Sequence, residues 1–268
     1  MKPEEEKVAF DKNKNNDNYK ENPDMIIGRN AVMEALSSGR PIDSLLVSRG
    51  DKNGSIGRII SACRERGIVI KEVDNKRLDT MSGGSSHQGV ICFAAAHEYS
   101  SIDDMFALAE SRGEAPFIII LDELEDPRNL GAIVRTAETA GAHGVIIPKR
   151  RSASLSFSVA KTAAGALEYV PVAKVANLPG TIDDLKKRGL WIYGADMDGT
   201  CWCQQDYNGP VGLVIGSEGN GIGRLVKEKC DFIVSLPMKG NITSLNASVA
   251  AGILMYEISR QRSDIKAK

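Results

Sequence analysis

The sequence predicts an α/β protein, in which a parallel sheet covered by helices on both faces follows a smaller α/β unit. Three observations carry this. Six apolar runs in the second half (FIIILDEL, GVIIP, VPVAKV, LWIYGAD, GPVGLVIG and FIVSLP) alternate with helix-period segments. The runs are continuous rather than split polar and apolar, as strands buried on both faces must be. A polar stretch, EYSSIDDMFALAESRGEAP, separates this half from a shorter unit with its own alternation.

In chain order, residues 1–23 are almost wholly Lys, Asn, Asp and Glu. Such a segment buries too little apolar area to offset its chain entropy and reads as a disordered tail. In the unit spanning 24–98, Asn30 is placed to cap a helix over AVMEALSSG that stops at Gly39. A strand over IDSLLVS, an amphipathic helix over SIGRIISACRERG and a second strand over IVIKEV follow. A short helix near Lys76–Met81 then leads into a third strand within HQGVICFAAA. Residues 99–114 read as a linker carrying a docked helix, and 115–268 as the larger unit. Its helices fall over LGAIVRTAETAG, SVAKTAAGALE, TIDDLKKRG, GRLVKEKC and SLNASVAAGILMYEISRQR.

The bulk properties exclude more than they identify. The 268 residues suffice for one large or two ordinary domains, and the net charge of −1 neither implies nor excludes a nucleic-acid partner. Five scattered cysteines fit reduced thiols; Cys201 and Cys203 form a C-x-C pair with no histidine nearby, a weak metal signal. The polar start is no signal peptide and no apolar run spans a bilayer, so the expectation is a soluble, cytoplasmic protein without membrane contact.

Ligands of such sheets sit at the carboxyl ends of the strands, so the chemistry is sought in those loops. VGLVIGSEGNGIG, residues 211–223, ends a strand in glycines 216, 219, 221 and 223. A P-loop would need Lys-Ser or Lys-Thr after its glycines, and only Arg224 follows here. A dinucleotide fingerprint needs G-x-G-x-x-G after the first strand, whereas this loop follows the fifth. Glu218 also sits badly beside a pyrophosphate. A ligand bearing a cationic sulfonium tolerates that carboxylate.

Two further loops complete the set. In LDELEDPRNLGAIVRTAE, Pro127 bars helix at Asp126, Asn129 stands where a cap is wanted, and Arg135 lies under two turns further on. In SLPMKGNITSLNASVAAG, Ser244 and Asn246 open the last helix, where a serine cap and a ligand cradle are equally good readings. PKRRSASLSFSVAK holds Lys149, Arg150, Arg151 and Lys161 at another strand end, either a solvated loop or a contact for a nucleic-acid phosphate backbone.

Taken together, DPRNLGAIVRTAETAG, GLVIGSEGNGIG and VSLPMKGNITSLNASVAAG resemble motifs one, two and three of the SpoU (TrmH-like) branch of the SPOUT superfamily of RNA ribose 2′-O-methyltransferases. RRSASLSFSVAKTAAGALEYVPVAKV resembles the segment between the first two, and IIGRNAVMEALSSGRPIDSLLVS through HQGVICFAAA resembles the family's ribosomal-protein-like RNA-binding domain. The nearest subgroup is that of the 23S rRNA guanosine 2′-O-methyltransferases, with tRNA enzymes sharing the motifs.

The resemblance implies a trefoil-knotted catalytic domain, S-adenosylmethionine as methyl donor, no metal, and a homodimer formed through the knot. Carried over, the catalytic set is Asn129, Arg135, Glu218, Ser244 and Asn246, and the donor contacts are Gly216, Ser217, Gly219, Ser235, Leu236 and Leu245; with RNA as substrate, the basic loop of Lys149, Arg150, Arg151 and Lys161 is the candidate RNA contact. Arg135 is the family's candidate base, but a guanidinium stays protonated and is a poor base. Gripping the phosphate and the reacting hydroxyl suits it better. The rival readings are a non-catalytic RNA binder of the same fold and a nicotinamide-dependent oxidoreductase, which the glycine spacing disfavours.

Overall fold

The computed structural model describes residues 24–50 and 54–263. The reading of residues 1–23 as a disordered tail lies outside the described residues. The chain divides into two compact units, one ending at Ala94 and the other beginning at Ala95.

The first unit runs β1 (Met25–Ile27), α1 (Arg29–Ser37), β2 (Ile42–Ser48), α2 (Ser55–Glu65), β3 (Val69–Val73), α3 (Asn75–Ser82) and β4 (Val90–Ala94). Its sheet has four strands in the order β1-β4-β2-β3, one more than expected. The added strand is only three residues long, too short for periodicity to reveal; it pairs antiparallel with β4. Asn30 is not a cap, because the helix already begins at Arg29 behind Gly28. Leu45 and Val47 pack with Val32, Ile59 and Cys63, while Leu46 packs with Leu78 and Ile91 on the other face. The strand's period of two thus fills two cores.

In the second unit, α4 (Ile102–Arg112) carries a full capping box between Ser101 and Asp104. Met105 on this helix is fully buried against the sheet face holding Ile118, Ile120 and Ile146. The unit continues through β5 (Phe117–Leu121), α5 (Pro127–Thr139), β6 (Gly144–Pro148), α6 (Phe157–Ala163), β7 (Val172–Val175), α7 (Leu178–Lys187) and β8 (Trp191–Cys201). It closes with β9 (Val211–Ile215), α8 (Arg224–Lys227), β10 (Phe232–Ser235) and α9 (Ala247–Arg262). All six strands are parallel neighbours, ordered β10-β8-β9-β5-β6-β7. Ile119 and Leu121 face the core beneath α5 and α9; Ile118 and Ile120 face the one beneath α4 and α7. Each such side chain contributes roughly 1.5–3 kcal/mol on burial.

β8 outruns its expected span. Ile233 pairs with Gly194 but Val234 pairs with Thr200, so residues 195–199 leave the β10 ladder and project at the carboxyl end of the sheet. The final helix is tied down at the opposite end. Arg262 donates to the carbonyls of Ala115 (2.8 Å) and Pro116 (3.1 Å) and lies over the Phe117 ring. Burial brings its guanidinium down to about 10.

Nearby, His143 is fully buried. The Phe117 N–H donates to its Nδ1 (2.9 Å), so Nε2 carries the proton toward Glu114 Oε2 at 3.0 Å. Burial lowers the pKa of His143 from 6.5, with Glu114 opposing. Below that value the unfolded chain takes up a proton that the folded one resists, so this contribution to stability is complete above about pH 6.5 and falls on acidification. Urea midpoints for the wild type should therefore drop between pH 7.5 and 5. His143→Gln, less stable at pH 7.5, should show a smaller drop. Equal drops would remove His143 as the cause.

Candidate active site

Three loops converge at the carboxyl ends of β5, β9 and β10. Asp126 caps α5 by accepting from Arg128 N, and Pro127 takes the first helical position. Asn129 is therefore not the expected cap; it lies inside the helix, 6% exposed, with its amide free for other work. Asn129 Nδ2 donates to Glu218 Oε1 at 2.8 Å, and Asn246 Nδ2 donates to Asn129 Oδ1 at 3.0 Å. Asn246 Nδ2 also donates to the same Glu218 oxygen. One carboxylate thus joins two asparagines, and the three residues come from the three different loops.

Asn246 does double duty. Its Oδ1 accepts from Ser248 N (3.0 Å) and Val249 N (3.3 Å), which makes it the cap of α9 in place of Ser244. Ser244 instead lines a cleft beside the network.

That cleft has a volume of about 430 Å³ and lies between the β9 loop, the β10 loop and the start of α9. Ile215, Val234, Leu236, Leu245 and Leu254 form its apolar walls, and Gly216, Ser217, Glu218 and Gly219 form one side. Its charged lining residues are Asp196 and Glu218, and among the described residues no Lys, Arg or His lines it. Asp196 pairs with Lys227 at 3.0 Å. The volume is ordinary for a small-molecule site.

The glycine loop is built for close approach, not for phosphate. Ser217 and Gly221 exchange backbone hydrogen bonds of 3.0 and 2.9 Å, and Gly223 N donates to Asp122 Oδ2 at 2.7 Å. These N–H groups are already spent. A Cβ on Gly216 would stand 2.1–2.3 Å from the backbone of Gly221 and Ile222, so the chain closes here only without a side chain. Gly221 supplies the left-handed turn with φ +63°.

Ser235 does not face the cleft as expected. Its hydroxyl donates to the Gly199 carbonyl at 2.8 Å, closing the excursion of β8. Arg135 is exposed on α5, and among the described residues no hydrogen bond or ion pair engages its guanidinium. Gly131, four residues earlier on the same face, seats α6: a Cβ there would meet Thr162 Cβ at 2.6 Å.

Of the basic candidates, Arg150 and Lys161 are exposed and Lys149 is partly buried at the end of β6. Arg151 is exposed and pairs with Glu123 at 2.7 Å. Its partner belongs to a second cleft of about 330 Å³ that shares Ser217, Glu218 and Asn220 with the first and is also lined by Glu123, Glu125 and Asp126, with Leu124 and Asn129. Cys201 and Cys203 place their sulfurs 3.2 Å apart, and among the described residues no cluster of three or more His, Cys, Asp or Glu could hold a metal.

Residues 116–256 match the SpoU rRNA methylase family, and residues 25–100 match the domain described as RNA 2′-O ribose methyltransferase substrate binding. The chain belongs to the SpoU rRNA methylase family. It is 50% identical over 243 residues to the Bacillus subtilis protein YacO, named a TrmH family tRNA/rRNA methyltransferase, covering 90% of this chain and 97% of that one. A Staphylococcus saprophyticus relative with the same family name is 45% identical, with the same coverage. Among solved structures, an AdoMet-bound rRNA methyltransferase of Sinorhizobium meliloti superposes with a TM-score of 0.55 at 25% identity, covering 91% of this chain and 88% of that one. The SpoU methyltransferase AviRb of Streptomyces viridochromogenes shares the fold at 24% identity and a TM-score of 0.58, with 90% of each chain covered.

The protein is thus an RNA methyltransferase of the TrmH/SpoU family, with a substrate-binding domain followed by a SpoU methylase domain. Among its described residues, no helix is long and apolar enough to cross a membrane. Asp122, Asp196 and Met197 escaped the sequence reading; their one signal was position, at the carboxyl ends of strands.

Proposed function

We propose that this chain methylates a ribose 2′-hydroxyl of RNA, a guanosine of 23S rRNA, using S-adenosylmethionine. The observation that carries the proposal is the cleft against the Asn129–Glu218–Asn246 network: apolar walls, two carboxylates and no basic lining residue. Such a lining suits a nucleoside with a cationic sulfonium and repels a pyrophosphate. The S. meliloti relative is an rRNA methyltransferase with AdoMet bound, and residues 25–100 match the substrate-binding domain of RNA 2′-O ribose methyltransferases.

Gly216, Ser217, Gly219, Leu236 and Leu245 would hold the donor; when bound it supplies an electrophilic methyl group on its sulfonium. Glu218 fixes Asn129 and Asn246 as a rigid floor, while Ser244 is left to orient the ribose. Arg135 grips the adjoining phosphate and stabilises negative charge on the 2′-oxygen as its proton leaves, that phosphate sharing in its acceptance. Arg150 and Lys161 guide the RNA backbone, with Lys149 at the rim. Val249, Ile253 and Tyr256, exposed at helical spacing on α9, form the face through which two copies pair.

The test is transfer of labelled methyl from S-adenosylmethionine to 23S rRNA and, in parallel, to tRNA, both made by transcription and free of modifications. The label should appear in 23S rRNA and map to one guanosine 2′-oxygen. Label in tRNA alone would transfer the assignment to that substrate. Label on a base would overturn it.

A further inference from the structure

Among the described residues, one buried carboxylate beside the glycine loop has no task in the proposed chemistry. Asp122 is the first residue beyond β5 and is 6% exposed. Its backbone N–H donates to the Ile215 carbonyl at 2.9 Å, where the glycine loop departs from β9. Its side-chain Oδ2 accepts from Gly223 N at 2.7 Å, where the loop returns. Residues 216–222 are therefore tied at both feet to one residue more than ninety positions earlier in the chain. Gly223 also precedes α8, which has no side-chain cap of its own. The distant carboxylate accepts from the N–H of this N-cap residue, the bond that an acidic side chain at the third helical position makes in a capping box.

We infer that Asp122 is a positioning residue: it latches the loop that walls the cleft and carries Glu218 toward Asn129 and Asn246. It lines neither cleft and touches no reacting group. Its effect is to restrict the loop to the one arrangement in which Gly216 packs on Gly221. The packing leaves it little alternative role. Burial raises its pKa, the bond from Gly223 opposes that rise and Glu123 adds to it.

The latch is a property of the free protein, whereas its consequence for the donor rests on the proposed function. Amide hydrogen exchange of the ligand-free protein tests the first, and calorimetric binding of S-adenosylmethionine tests the second. Asp122→Ala should speed exchange at Ser217, Gly221 and Gly223 about tenfold or more, with β5 and β9 unchanged. It should weaken donor binding about tenfold while kcat at saturating donor falls less than threefold. Asp122→Asn keeps an acceptor and should restore both readouts to within about threefold of the wild type. Should Asp122→Ala not fold, Gly223→Pro removes the donated N–H at a residue whose φ of −59° proline accepts. Wild-type exchange and binding in Asp122→Ala, or in Gly223→Pro, would overturn the latch. Faster loop exchange in a protein whose wild type binds no S-adenosylmethionine would uphold the latch and overturn the donor assignment.

Discussion

Arg135→Ala should lose about 10²–10³-fold in kcat for methyl transfer at saturating donor and RNA, the range that follows removal of a preorganised charge from a transition state. The fold should not notice. The side chain is exposed, and no partner among the described residues depends on it, so the thermal midpoint should stay within a degree or two of the wild type. Donor binding should also persist, because Arg135 is absent from the residues lining the cleft. An effect confined to kcat and to the RNA term of kcat/KM is what a group acting on the substrate's phosphate and hydroxyl must show.

The same variant set separates the two roles open to an arginine here. A guanidinium is protonated throughout the working range, so it serves as a base only where a site strips that proton; Arg135 is exposed on α5. If Arg135 stabilises charge, alanine lowers the rate evenly across pH 6–9, and Arg135→Lys regains about tenfold by restoring a point charge without the fork. If it is the base, the lysine variant acquires a pH-rate limb of its own. Rates for Arg135→Ala within threefold of the wild type at every pH would remove it from both roles.

The sequence disclosed the scaffold more readily than the connections across it. Six strands and five helices of the second unit were legible because runs such as FIIIL and GVIIP are apolar throughout, which only a doubly covered sheet demands. The loops were legible for the same reason, since they follow those runs. What stayed hidden was pairing at long range. Asn129 meets Glu218 across 89 positions and Asn246 across 117, and no periodicity encodes either contact. Local rules also misdirected: Asn129 and Ser244 look like caps, yet Asp126 and Asn246 cap those helices. At Ser235 the hydroxyl was spent on Gly199, a partner that exists only because β8 leaves its ladder. Arg151 pairs with Glu123 across 28 positions, a contact the basic run did not announce. The oddest residue by sequence, a carboxylate in a glycine loop, proves to be the point where the three loops join.

That junction sets the second large effect. Glu218→Ala should reduce methyl transfer by about 10²-fold and cost roughly 1–3 kcal/mol of stability, because it strands the buried Asn129 amide without its acceptor. Unlike Arg135→Ala, this variant should move the thermal midpoint and weaken donor binding together. Glu218→Gln divides the causes. Its one carbonyl oxygen can still accept from both asparagine amides, so the brace survives while the charge is lost. If the carboxylate only braces, the glutamine variant stays within a few-fold of the wild type in every readout. If its charge also favours a cationic ligand, the glutamine variant keeps its midpoint yet binds S-adenosylmethionine several-fold more weakly. Binding of the uncharged product S-adenosylhomocysteine should then be unaffected, since it carries no sulfonium for the charge to meet. Combining Glu218→Ala with Asn246→Ala should cost less than the sum of the two alone, because each removes the same contact. Full additivity, or a Glu218→Ala protein of wild-type rate and midpoint, would mean that the three loops are held by something other than this carboxylate.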